Sequence, residues 1–205
     1  MSEGTFITLE GIEGVGKSTN LELIASLVGS AGHDVVVTRE PGGTALGERI
    51  REILLNKDER QITPIAELLM MFAARAQHVE EIIKPALARG AWVISDRFTD
   101  SSFAYQGGGR QLGAQTVAEL ERQVLRGFRP DLVIILDLDV EEGLRRASKV
   151  AVADRFETED RAFFERVRSC FISQAVKPGY HLVDAARPLV DVQTEITQII
   201  RDFIE

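Results

Sequence analysis

Gly11-Ile12-Glu13-Gly14-Val15-Gly16-Lys17-Ser18 follows the spacing G-x-x-x-x-G-K-[ST], a pattern whose chemistry is the holding of phosphate. Glycines let the backbone wrap an anion and turn its N–H groups inward. The lysine reaches the β- and γ-phosphates of a nucleotide, and the Ser18 hydroxyl can ligate Mg2+. The surroundings agree. Thr5-Phe6-Ile7-Thr8-Leu9 alternates like a strand before the motif, and Leu21, Ile24, Ala25 and Val28 recur at helical spacing after Lys17 until Gly29 and Gly32 end the pattern. A nucleoside triphosphate is the ligand implied. The reaction is not settled by this loop, because switches, motors and kinases share it. An Asn-Lys-x-Asp guanine reader is missing: Asn56-Lys57-Asp58-Glu59 has Glu59 where the aspartate belongs.

A phosphotransferase needs a second anion site facing the first. Arg39-Glu40-Pro41-Gly42-Gly43-Thr44 follows a second strand pattern and Asp96-Arg97 a third. Ligands of open α/β sheets sit at the carboxyl ends of strands, so Lys17, Arg39 and Arg97 are expected in one crevice. Arg51, two turns into the next helix, is placed to join them.

The elements that must position these groups alternate along the chain. Strands are predicted at Thr5–Leu9, Val35–Thr38, Trp92–Ser95, Leu132–Leu136 and Tyr180–Val183. Helices are predicted at Lys17–Val28, Leu46–Leu55, Pro64 to about Ile83, Gln115–Leu125, Glu141–Ala147, Glu159–Val176 and Leu189–Ile204. Glu67 stands where a capping box after Thr63 would use it. Residues 107–113, with four glycines, read as a loop, and Lys149–Thr158 has no periodicity. The pattern predicts one domain: an α/β fold with a five-stranded parallel sheet covered by helices on both faces.

Composition narrows the partners. The 205 residues are 44% apolar and carry 24 Lys+Arg against 32 Asp+Glu, a net charge of −8. That balance excludes a protein that coats nucleic acid by bulk electrostatics. The longest apolar run, Leu68–Ala74, is far short of the roughly 20 residues of a membrane helix. One cysteine, Cys170, allows no internal disulfide, and with no room for a secretory signal the expected setting is cytoplasmic. His33, His78 and His181 are scattered and suggest no metal cluster. Arginine outnumbers lysine 19 to 5, which fits either base composition or fork-shaped recognition of phosphate.

Four segments resemble the thymidylate kinase family: Glu10 through Ser18-Thr19, Thr38 through Thr44, Phe72-Ala73-Ala74-Arg75-Ala76-Gln77-His78, and Asp96-Arg97-Phe98 through Ser101 with Ala104-Tyr105-Gln106-Gly107. The likeness continues through Arg129-Pro130-Asp131-Leu132 and Asp154-Arg155-Phe156-Glu157, in order over nearly the whole chain. It implies a three-layer α/β/α P-loop nucleotide kinase that phosphorylates dTMP with ATP and Mg2+ as a homodimer. It further implies that Phe72 stacks on thymine and Arg75 bonds the base edge, with Ser102 and Gln106 as neighbours. Tyr105 crowds the sugar 2′ position, and Glu13 meets the 3′-hydroxyl. Arg39, Arg51 and Arg97 hold the monophosphate, and Asp96 joins Ser18 at Mg2+. Lys149–Thr158 resembles a lid, beginning near Arg145. Because Gly14 occupies the place where some members carry a P-loop arginine, the transferring phosphoryl group would be met by Arg155, with Arg146, or in competition Arg145, against adenine. Two other readings share the motifs: a kinase for another nucleoside monophosphate or a deoxynucleoside, and a P-loop ATPase acting as a switch.

Overall fold

Five strands, β1 (Phe6–Glu10), β2 (Val35–Arg39), β3 (Trp92–Asp96), β4 (Leu132–Asp137) and β5 (Tyr180–Asp184), form one parallel sheet in the order β2-β3-β1-β4-β5. The computed structural model describes residues 4–57, 62–149 and 154–205. Each strand runs one residue beyond its expected end. The added residues are all charged: Glu10, Arg39, Asp96, Asp137 and Asp184. Apolar patterning stops where the core stops, while backbone pairing continues, so the carboxyl edge of the sheet is a row of ionisable groups. Chain order reverses beside β1, where an open α/β sheet leaves its ligand crevice.

Between the strands lie α1 (Lys17–Ser30), α2 (Ala45–Leu55), α3 (Pro64–His78), α4 (Lys84–Ala88), α5 (Thr99–Ser102), α6 (Ala114–Leu125), α7 (Val140–Ala147), α8 (Arg161–Gln174) and α9 (Leu189–Ile204). Alternate strand residues face opposite sides. Ile7, Leu9 and Ile94 pack with Ile24 and Val28 of α1 and Ile196 and Ile200 of α9. Phe6 and Val93 pack instead with Val79, Ile83, Ala86 and Leu125. The central strands β1 and β4 are buried almost throughout, as a sheet covered on both faces requires.

Three local expectations are corrected. The helix from Pro64 continues to Ala88 through a π-helical turn, Val79–Ile83, in which Lys84 N–H bonds the Val79 carbonyl. The wider turn accommodates Pro85, which lacks an N–H and would crowd an α-helical carbonyl. Residues 103–109 are likewise π-helical, not a loop. There the glycines serve close packing: a Cβ on Gly109 would lie 2.5 Å from the Phe163 ring, and one on Gly108 3.3 Å from Cys170 Cβ. Only beyond Gly109 does the chain turn, with Gly113 at φ 81°. Finally, Thr63 caps α3 by accepting from Ala66 N–H at 3.4 Å, but the third helical position, which closes a capping box, is Ala66, and Glu67 lies one residue beyond it. Its carboxylate is fully buried among other partners.

Two glycine substitutions separate these roles. Gly109→Ala is expected to lower unfolding free energy by about 1–3 kcal/mol through overpacking. Gly29→Ala, on α1 with open space around it, is expected to raise it by about 0.5–1 kcal/mol. Urea denaturation of both variants reads the contrast, and equal shifts would contradict the packing account.

Candidate active site

The phosphate loop leaves the buried strand β1 and turns on Gly11, Gly14 and Gly16, at φ 134°, 72° and 90°. Ile12 and Val15 anchor it in the core. Lys17 folds across the loop and donates to Gly11 O (3.1 Å) and Ile12 O (2.9 Å). Burial, and after it the charge of Arg97, lowers the Lys17 pKa to about 8. At Gly14 a Cβ would sit 2.0 Å from the carbonyl oxygen of Gly143 on α7. No side chain fits there, so a P-loop arginine is sterically excluded from this molecule.

A cavity of about 450 Å3 opens above the loop. Glu13, Gly14, Gly16, Lys17, Ser18 and Thr19 form its floor, and Arg51, Arg75, Asp96, Arg97, Ser102, Tyr105, Gln106 and Arg146 its walls. Arg97 follows β3 in the left-handed region, at φ 71°. Its Nη1 donates to Gly11 O (2.8 Å) and Ser101 Oγ (3.1 Å), and its Nη2 to Glu13 Oε1 and the Tyr105 hydroxyl (both 3.1 Å). Tyr105 in turn donates to Glu13 Oε1 at 2.7 Å. Burial pushes the Tyr105 phenol well up, so it stays a donor. Arg75 is also buried. It donates from Nε to Glu40 Oε2 (2.7 Å), from Nη1 to Ser102 Oγ (2.9 Å) and from Nη2 to Phe98 O (2.9 Å). Arg51 donates to Pro41 O at 2.9 Å, and burial and Arg39 hold its pKa below the usual arginine value. Among the described residues, two buried carboxylate oxygens have no hydrogen-bond partner: Glu13 Oε2 and Asp96 Oδ1.

Such a cavity, with a P-loop on one side and guanidinium groups on the other, suits two phosphorylated ligands. A protein-family model described as thymidylate kinase matches residues 9–196. The chain belongs to the thymidylate kinase family. A protein named thymidylate kinase from Pseudomonas fluorescens (strain SBW25) is 55% identical over 204 residues, covering 98% of this chain and 97% of the relative. Another so named, from Alcanivorax borkumensis, is 50% identical over 202 residues with the same coverage. The crystal structure of thymidylate kinase from Ehrlichia chaffeensis superposes with a TM-score of 0.78 at 32% identity, covering 98% of this chain and 99% of that one. Thymidylate kinases are ATP-dependent phosphotransferases, and this chain is one of that class.

Within this thymidylate kinase fold, some expected residues stand elsewhere. Phe72 packs with Leu68 and Val117, outside the cavity lining, with the Arg75 guanidinium 4.7 Å from its ring centroid. Met71 lines the wall instead. Arg39 points outward, 55% exposed, and pairs with Glu48 at 3.0 Å. Arg155 is the largest departure. It is buried, pairs with Glu67 Oε2 at 2.6 Å and donates to Leu54 O at 2.8 Å. Of the two candidates near adenine, Arg146 lines the cavity, while Arg145 is exposed and pairs with Glu142. Lid residues 150–153 lie outside the described residues, as do Asp58 and Glu59 of the rejected guanine-reader segment.

Sequence reasoning missed the groups behind the wall. Glu40 joins Arg75 to His78, whose Nδ1 lies 2.9 Å from Glu40 Oε1 and whose Nε2 lies 2.6 Å from Thr38 Oγ1. The Glu40-Pro41 step was visible in the sequence as part of a strand-end motif, but a buried role was not. Glu10 accepts from Phe98 N–H (2.7 Å) and Ser101 Oγ (2.6 Å), pinning the turn that carries Arg97. Burial, aided by the charge of Asp100, pushes the Glu10 carboxyl up to about 7 from an ordinary 4.5. The folded state therefore holds a proton there that the unfolded chain gives up. Stability from this group is complete below the unfolded value and is lost as pH rises through about 7. Glu10→Gln is expected to flatten the fall in stability between pH 5 and 7.5 on that account, as read from urea midpoints across pH. Parallel curves for wild type and variant would contradict it.

Proposed function

We propose that this cavity transfers the γ-phosphate of ATP to dTMP, giving dTDP and ADP on the way to dTTP for DNA synthesis. The observation that carries this reading is the convergence of Lys17 with Arg51, Arg75, Arg97 and Arg146 around one cavity floored by the phosphate loop. The loop N–H groups and Lys17 hold the donor phosphates at the N-terminus of α1. Arg51 and Arg97 hold the acceptor phosphate, while Arg39 pairs outward with Glu48. Arg75 and Ser102 face the base, with Phe72 supporting the guanidinium from behind and Gln106 beside them. Arg146 borders the adenine side.

A monophosphate oxygen is already anionic near neutral pH, so attack on the γ-phosphorus needs no strong general base. The chain contributes alignment and charge neutralisation. Arg97 is set between Glu13 and the phosphate position, so cation and acceptor approach together. Glu13 Oε2, buried and unpartnered, accepts a hydrogen bond from the sugar 3′-hydroxyl. Tyr105, fixed by Glu13 and Arg97, fills the space beside the sugar and disfavours a 2′-hydroxyl.

The donor set suits Mg2+ delivered with ATP. Among the described residues no three His, Cys, Asp or Glu side chains gather to hold a metal; an ion arriving on the ATP phosphates would find protein oxygens only at the loop and the end of β3. Ser18 and the unpartnered Asp96 Oδ1 would hold it there. The ion supplies neutralisation of charge on the β- and γ-phosphates. No described helix is long and apolar enough to cross a membrane, which supports a cytoplasmic placement. Exposed Ile53 on α2 with Ile65 and Leu69 on α3 support a homodimer.

A coupled assay of ADP release with dTMP, dUMP, dCMP, dGMP or no acceptor tests the reading. Turnover at least tenfold faster with dTMP is expected, and turnover indifferent to the acceptor would overturn it in favour of an ATPase switch. Tyr105→Phe keeps the ring but removes its hydrogen bonds with Glu13 and Arg97. It is expected to reduce discrimination between dTMP and its ribonucleotide counterpart by roughly tenfold in kcat/KM, and unchanged selectivity would remove Tyr105 from the sugar site.

A further inference from the structure

Glu67 is fully buried in the first turn of α3, and its two oxygens collect three donor side chains from two separate parts of the chain, residues 106–110 and Arg155. Oε1 accepts from Gln106 Nε2 at 2.8 Å. Oε2 accepts from Arg155 Nη2 at 2.6 Å. Arg110 Nε bridges both, at 3.3 and 3.2 Å. Arg155 extends the junction to the end of α2. Its Nε donates to Leu54 O at 2.8 Å and its backbone N–H to Leu55 O at 3.2 Å. A helix C-terminus leaves carbonyls unpaired and carries the negative end of the dipole, so a cation is held there twice over.

What these groups support is the acceptor side of the cavity. The Arg155 guanidinium lies 4.6 Å from the Phe156 ring centroid, and Phe156 meets Tyr105 edge-on at 5.9 Å. Gln106, Tyr105 and Phe156 all line the cavity. A buried carboxylate with cationic partners fixes its neighbours because losing one partner strands an unpaired charge. We propose that Glu67 and Arg155 are positioning residues. They lock the segment from Asp154 onward onto α2 and α3, and thereby set Gln106, Phe156 and Tyr105 against the acceptor nucleoside. Arg155 acts through this wall and not on the transferred phosphoryl group. The proposal rests on the assignment of that wall to dTMP.

Steady-state kinetics of Glu67→Gln, Arg155→Lys and Arg155→Met test it, with dTMP and ATP varied separately. Misplaced walls weaken the nucleoside without removing a transition-state charge. Arg155→Met and Glu67→Gln are expected to raise the KM for dTMP roughly tenfold, with the KM for ATP and kcat at saturation within about threefold of wild type. Arg155→Lys, which keeps the charge but not the two-pronged reach, is expected to fall between. A hundredfold loss of kcat with an unchanged KM for dTMP would overturn the proposal and return Arg155 to the phosphoryl group. So would normal kinetics with only a lowered Tm. If Arg155→Met does not fold, the near-isosteric Glu67→Gln carries the test alone. Wild-type acceptor preference is read in the same assay: indifference to dTMP would sink the functional reading, whereas dTMP preference with unshifted variants sinks only this inference.

Discussion

A guanidinium withdrawn from water needs an anionic partner in place before any substrate arrives, since an isolated buried charge costs several kcal/mol. This constraint shapes the whole cavity. Arg75 is met by Glu40, Arg97 by Glu13 and Arg155 by Glu67. Each carboxylate stands on an element that the sheet or its helices already fix: Glu40 just past β2, Glu13 in the phosphate loop, Glu67 on α3. The arginines are therefore oriented by the folded chain itself. Glu40 is held in its turn by His78 and Thr38, and the Arg97 turn by Glu10. Substrate enters a site whose cations are already aimed.

The same pairing explains how a chain of net charge −8 handles two anionic substrates. Long-range steering by net charge is unfavourable, so attraction has to be local, from Lys17, the loop N–H groups and the few guanidinium edges facing the cavity. The excess of arginine over lysine also acquires a second cause. Many forks serve the fold: Arg168 grips both oxygens of Asp137, Arg166 reaches Gly109 O with two nitrogens, and Arg155 bridges a carboxylate and a helix carbonyl. A lysine, with a single ammonium, cannot span such pairs of acceptors. Phosphate binding is one use of the fork and structural bridging the other.

Most of the architecture was legible in the sequence because it is written in periodicity. Strand alternation, the continuous apolar run at Leu132–Leu136 and the glycine spacing of the phosphate loop each follow from burial or backbone geometry. Lys17, Arg51 and Arg97 reach the cavity as strand ends and helix phase suggest, and Arg75 does so as the family resemblance implies. Side-chain direction within an aperiodic stretch is a different matter. Arg155 among Asp154, Glu157 and Glu159 looks solvent-facing, and only the folded chain brings it to Glu67, 88 residues away. Glu67 near a helix start resembles a capping residue, and Gly107–Gly109 resemble a turn, because composition does not distinguish glycines that bend a chain from glycines that let α8 approach. The resemblance gives Phe72 to the base, whereas Met71, one position earlier and likewise at helical spacing from Arg75, lines the wall.

The central claim is that Arg75, Arg97 and Arg155 are each aimed by a carboxylate partner before binding. A crystal structure with dTMP and a non-hydrolysable ATP analogue tests it most directly. Arg97 and Arg51 should contact the acceptor phosphate while Arg75 keeps Glu40 and Arg155 keeps both Glu67 and the Leu54 carbonyl. An Arg155 swung away from Glu67 to the donor γ-phosphate position, or an Arg75 released from Glu40, would contradict the account.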